Sequence, residues 1–160
     1  MKRVGLVLLL MILPGLNFQV RGQDTSSIAS KILFSIERSE PSWKLEKRLS
    51  SRNGDYVSLR WKLRKSTMEV LIKTCPSADV AVDCLEALGV DLELAGLQMR
   101  KLNDHIDELG QNSYVWEDAI VHGKVGVAFS KGRFVVHVTS SSMNNARRFA
   151  LLVESAMPAA

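Results

Sequence analysis

The chain has 160 residues, 46% of them apolar, with 21 Lys and Arg against 17 Asp and Glu; that length buries a core without help from metals or many disulfides. Three basic residues (Lys2, Arg3 and Arg21) lie in an N-terminal leader, so 18 basic residues face 17 acidic ones in the rest. This balance excludes a nucleic-acid binder, which needs a basic surplus against phosphates.

Lys2 and Arg3 precede an apolar run from Val4 to Leu13, then Pro14 and Gly15. This is the charged n-region and short h-region of a secretory signal peptide. The run is too short for a bilayer span, which takes about 20 apolar residues. Val20 and Gly22 suit the small −3 and −1 positions. Residues 1–22 are therefore expected to be cleaved, leaving 23–160 as a single secreted or periplasmic domain with no transmembrane segment. No cysteine stands near the cleavage site to carry a lipid anchor, and no Asn-x-Ser/Thr sequon is present.

Charge is segregated along the mature chain. Ten basic and four acidic residues fall between Lys31 and Lys65, and three basic and eleven acidic between Ser66 and Asp118. Two halves that pair by charge explain this, as does a polarised surface that meets an anionic partner.

From Asp24 to Arg38, Ile28, Ile32 and Ile36 recur every fourth position, which predicts an amphipathic helix. The period then becomes two. Trp43, Leu45 and Leu49 alternate with Lys44, Glu46 and Arg48, and Val57, Leu59, Trp61 and Leu63 alternate with Ser58, Arg60, Lys62 and Arg64. These are two half-buried strands joined at Asn53-Gly54, a strong hairpin signal. An unbulged turn there pairs Leu49 with Ser58, so a bulge beside Gly54 is expected to bring Leu49 onto the apolar face. A turn at Lys65-Ser66 leads to a third strand with Met68, Val70 and Ile72 inward. Pro76 and Ser77 start a helix whose apolar face is Val80, Ala81, Cys84, Leu85 and Leu88, closed by Gly89.

The segment from Gly89 to Gly110 is read, by a narrow margin, as helix. Strands follow at Tyr114 and Trp116, at Val125, Val127 and Phe129, and at Phe134, Val136 and Val138. Ser140 to Ser142 then cap a helix faced by Met143, Ala146, Phe149, Ala150, Val153 and Met157. The expected fold is α+β: an N-terminal helix, then two antiparallel three-stranded meanders, each followed by a helix packed on one side of the sheet. Residues 43–88 and 112–157 are candidate pseudo-repeats.

Few residues point to chemistry. Cys75 and Cys84 are the only cysteines, and an exported protein makes a disulfide the default. Nine residues of continuous helix would hold them about 13 Å apart, so a bond requires the helix to start late, near Ala78. No histidine spacing fits a metal site, no glycine-rich loop cradles a phosphate, and no cofactor is implied. His105 stands among Asp104, Asp107 and Glu108, the raw material for acid–base chemistry and the basis of an alternative reading as a secreted hydrolase. Arg60, Lys62 and Arg64 form a basic stripe with Lys44 and Arg48 beside it. Such a stripe suits an anionic envelope component or an acidic protein, or simply keeps a wet sheet face charged. An inhibitor would need an exposed rigid loop, and none stands out.

Gly110, Ser113, Tyr114 and Trp116, then Lys131-Gly132, then Arg148-Phe149-Ala150, resemble the C-terminal part of small exported bacterial domains of unknown function. Where many of those have two acidic residues after the glycine, this chain has Gln111 and Asn112. The resemblance covers about a quarter of the chain and implies an exported α+β domain without a known activity. A soluble, non-catalytic binding or envelope-interaction domain is the reading these observations favour.

Overall fold

A computed structural model describes residues 13–94, 98–101, 109–110, 112–117 and 124–159. The chain runs α1 (Leu13–Ser39), β1 (Lys44–Ser50), β2 (Tyr56–Leu63), β3 (Ser66–Thr74), α2 (Ala78–Leu94), β4 (Gln98–Lys101), β5 (Asn112–Glu117), β6 (Val125–Lys131), β7 (Phe134–Ser140) and α3 (Met143–Ala156). All seven strands join one antiparallel sheet in the order β1-β2-β3-β7-β6-β5-β4.

One face of this sheet, the inner face, carries the main core. Val57, Leu59 and Trp61 on β2, Met68, Val70 and Ile72 on β3, Val127 and Phe129 on β6, and Val136 and Val138 on β7 point to it. They bury Ile28, Ile32 and Ile36 of α1 and Ala146, Phe149 and Val153 of α3. These are the positions where apolar side chains recur with period two on strands and three to four on helices. Phe149 sits at the centre, edge-on to Trp43 at 5.2 Å and to Trp61 at 5.9 Å between ring centroids. Thr25 of α1 hydrogen-bonds Thr74 at the end of β3.

The expected plan of two three-stranded meanders, each followed by a helix on the same side of the sheet, is overturned. Four strands follow α2, because β4 adds to the edge beside β5. The helix α2 does not pack on the strands it follows. It crosses to the other, outer face and lies against β6, β7 and β4, where Ala81 and Leu85 meet Ala128 and Val135. The connection explains the placement: β3 is central and β4 is the far edge, so the intervening chain must cross β7, β6 and β5. Gly89 does not close α2, which runs on to Leu94. The meanders share the inner face, but α2 and α3 lie on opposite faces.

Two local expectations also change. The bulge sits between Leu45 and Lys47, not beside Gly54, and the Leu49–Ser58 pairing stands. Leu49 therefore points to the outer face, 47% exposed, and Arg48 turns to the α1 side, where its guanidinium donates to Ser26 Oγ at 3.2 Å. Ser142 is the N-cap of α3, but its hydroxyl makes no capping bond; the Ser142 N–H donates instead to Ser140 Oγ at 3.2 Å. Among the described residues no helix is long and apolar enough to cross a membrane.

Candidate functional site

Because α2 lies against β6, β7 and β4, no described element lies over the outer face of β1–β3, here called the bare half. Alternation on β2 aims Ser58, Arg60 and Lys62 outward. The bulge in β1 sets Lys44 opposite Lys62, Lys47 opposite Arg60 and Leu49 opposite Ser58. On β3, Glu69 faces Arg60 and Lys73 faces Tyr56. Five basic residues (Lys44, Lys47, Arg60, Lys62, Lys73) thus share this face with two acidic ones, Glu46 and Glu69, around half-exposed Leu49 and Tyr56.

Arg64 is not part of the face. It occupies the two-residue turn between β2 and β3 with φ 55°, a backbone position that tight hairpins demand. Arg60 and Lys62 stand where alternation puts them. Lys47 takes the place expected for Arg48, because one bulged residue exchanges the faces of everything after it.

The two carboxylates thin the positive charge without cancelling it. Arg60 donates to Glu69 at 3.0 Å and Lys62 lies 3.8 Å from Glu46. Burial alone would raise the Glu69 carboxyl. Hydrogen bonds from Ser58 and Arg60, and the Arg60 charge, outweigh it and hold the group below the ordinary carboxylate value. Both members of the Arg60–Glu69 pair are about 40% exposed, so the pair remains open to solvent and to exchange with another anion.

The covered half begins at a stacked group on β5, β6 and β7. Gly126 faces Trp116, and a Cβ at 126 would overlap the indole. Only glycine lets the ring lie flat across β6. The indole N–H reaches over and donates to His137 Nε2 at 2.8 Å, which requires the neutral imidazole with its proton on Nδ1. Burial drives the His137 pKa down to about 4, against a weaker upward pull from Glu69.

At the junction of the halves, Cys75, Cys84, Lys73 and Asp55 line a cavity of about 230 Å³. The helix starts at Ala78, the late start a bond between the cysteines requires, with the Val80 N–H donating to Ser77 Oγ at 3.3 Å. Both thiols are free. Lys73 Nζ lies 3.7 Å from Cys84 Sγ. Asp55 is held below the ordinary carboxylate value, chiefly by the Ser51 hydroxyl that donates to it.

His105, Asp104, Asp107 and Glu108 lie outside the described residues. Among the described residues no group of three or more His, Cys, Asp or Glu is placed to hold a metal ion.

No protein-family model matches the chain, and no curated protein matches it. Among solved structures, a GTP binding regulator from Thermotoga maritima matches with a TM-score of 0.42 and 14% identity, over 79% of this chain and 84% of that one.

The sequence held a signal for the bare face that alternation alone does not use. The outward positions of β6 are Gly126, Ala128 and Ser130, and that strand is buried on both faces. The outward positions of β2 are polar or charged. Small outward residues mark strands that a second layer covers.

Proposed function

We propose that the protein is an exported, non-catalytic binding domain that takes an acidic amphipathic helix of another polypeptide on the outer face of β1–β3. The observation that carries this reading is the asymmetry of the outer face. On its other half, α2 buries Ala81 and Leu85 and turns Asp79, Asp83 and Glu86 to solvent. The bare half offers the complement to such a helix: Leu49, Tyr56 and Leu71 for its apolar side, and Lys44, Lys47, Arg60, Lys62 and Lys73 for its carboxylates. Charges placed in this way steer encounter and select the partner.

Export rests on the leader. The residues that α1 supplies to the core, Ile28, Ala29, Ile32 and Ile36, all follow Gly22, so cleavage there leaves them in the mature chain. The exported product is expected to begin at Gln23 by intact mass. A chain that accumulates with residues 1–22 attached in the cytoplasm removes this part of the reading.

Binding is tested by affinity capture from the native exported fraction, with the mature protein beside a Lys47→Glu/Arg60→Glu/Lys62→Glu variant and an Arg64→Glu control. The expected result is an acidic polypeptide held by the wild type and the control, lost by the triple variant and eluted by salt. Equal capture by all three, or none by any, overturns the assignment of this face.

A further inference from the structure

The corner where the 51–56 turn meets the start of α2 gathers two thiols and an ammonium that the proposed binding role leaves unexplained. Cys75 follows β3 directly; its N–H donates to the Arg133 carbonyl at 2.8 Å and its side chain is buried. The Ala81 N–H donates to the Ser77 carbonyl at 3.1 Å, which fixes the first turn of α2 beyond Pro76. The chain thus reverses before the helix begins, and Cys84 comes back beside Cys75. Cys84 packs against the small cluster that holds Cys75, whereas nine residues of unbroken helix would part them by about 13 Å. Cys84 is the more accessible of the two, both line the cavity of about 230 Å³, and the Lys73 ammonium lies 3.7 Å from the Cys84 sulfur.

We propose that Cys75 and Cys84 form a thiol–disulfide exchange centre, in which Cys84 receives an incoming disulfide and Cys75 closes an intramolecular bond. The co-reactant is a disulfide, either of a small thiol or between exposed cysteines of a protein. The Cys84 sulfur, its proton lost to water, attacks one sulfur of the donor; the donor S–S bond breaks and one donor thiol leaves, protonated from solvent. The Cys75 sulfur, likewise deprotonated to water, attacks Cys84 Sγ and expels the second donor thiol. Two electrons pass from the cysteine pair to the donor disulfide, and a donor dithiol reverses the sequence.

The surroundings set this order. The Lys73 ammonium sits where the attacking sulfur of Cys84 carries its charge. Burial pushes the Cys75 thiol up to about 11, and its hydrogen bond to Cys84 and the Cys84 charge push the same way. Capping Cys84 in the mixed disulfide removes both contributions from Cys84 and leaves burial as the one that still raises Cys75. The closed bond ties the first turns of α2 to the end of β3, across the boundary between the covered and bare halves.

The test equilibrates the purified protein in mixtures of reduced and oxidised dithiothreitol, quenches with acid, and counts alkylated thiols by intact mass. The expected result is paired, reversible loss of both thiols in a monomeric chain. Oxidised glutathione should trap a mixed disulfide on Cys84 in Cys75→Ala, while Cys75 in Cys84→Ala reacts at least about tenfold more slowly. Lys73→Met, which keeps both thiols, should slow the first step several-fold; a bond with a purely structural role would not register that change. The proposal is overturned if both thiols stay alkylatable across the redox range, if they are lost only between chains, or if Cys75 reacts first. The thiol count on the unmodified chain decides the pairing even where a single-cysteine variant fails to fold.

Discussion

The two halves of the outer sheet face differ in what stands between the inward apolar residues. On β6 those positions hold Gly126, Ala128 and Ser130, all buried, and on β7 they hold buried Val135 and half-buried His137 and Thr139. On β2 they hold Ser58, Arg60 and Lys62, progressively more exposed. The inner face is alike in both halves, and its side chains form one cluster beneath α1 and α3. A strand's inward residues therefore say that it has a core side, and its outward residues say whether a second layer covers it. In this chain the covered half is built for packing and the bare half for solvent or a partner.

The sharpest test of the shared inner face is Phe149→Ala. This ring holds Trp43, just before β1, and Trp61 of β2 against α3, so its loss should cost about 3–5 kcal/mol in urea unfolding. A loss below about 1 kcal/mol would mean that the inner face does not bind the halves together.

The covered half should carry an acid-sensitive step that the bare half lacks. Burial depresses the folded pKa of the His137 imidazole from its ordinary value of 6.5 to about 4. The unfolded chain thus binds the proton more readily between these values, and stability falls as pH drops from about 6.5 to about 4, by roughly 3 kcal/mol in total. Below that window both states carry the proton and the loss levels off. The lowered Glu69 and Asp55 carboxylates lose their contributions as pH falls through their own depressed values, at the acid end of the curve. His137→Gln should flatten the slope between pH 6.5 and 4.5 alone, and an unchanged slope would assign it to other groups.

Gly126→Ala probes the same half by crowding. The added methyl overlaps the Trp116 indole and should cost about 1–3 kcal/mol. Amide exchange should accelerate in β5 and β6 before β1 and β2; a uniform acceleration would show that the halves open together.

Smallest is Arg60→Ala. The Arg60–Glu69 pair is about 40% exposed on each side, so stability should change by less than about 1 kcal/mol, while partner capture should weaken. A larger loss of stability would make the basic face a structural element.

Much of the inner face was legible in the sequence. Val57, Leu59 and Trp61, Met68, Val70 and Ile72, and the stripe from Ala146 to Val153 all follow the period of their element and all reach the core. Arg60 and Lys62 were legible for the same reason, as the off-face residues of a clean alternation. Arg48 and Leu49 were misread because a single bulged residue near Glu46 reverses the phase of β1, and such a residue leaves no mark in an apolar pattern. Arg64 was misread because a turn and a strand end look alike when the residue is polar.

The amino-acid order by itself determined which residues share a face, where most strands and helices lie, and that the two cysteines would meet only if a helix began near Ala78. Those properties depend on neighbours a few positions apart, where steric and hydrogen-bonding rules act directly. Only the tertiary structure decided that β3 pairs with β7, that β4 closes the far edge, and that α2 crosses to the outer face over β6 and β7 while no described element covers β1–β3. Pairing partners and the face a connection takes are set by burying area between segments far apart in the chain, and a period of two or of 3.6 is the same whichever side of the sheet it serves.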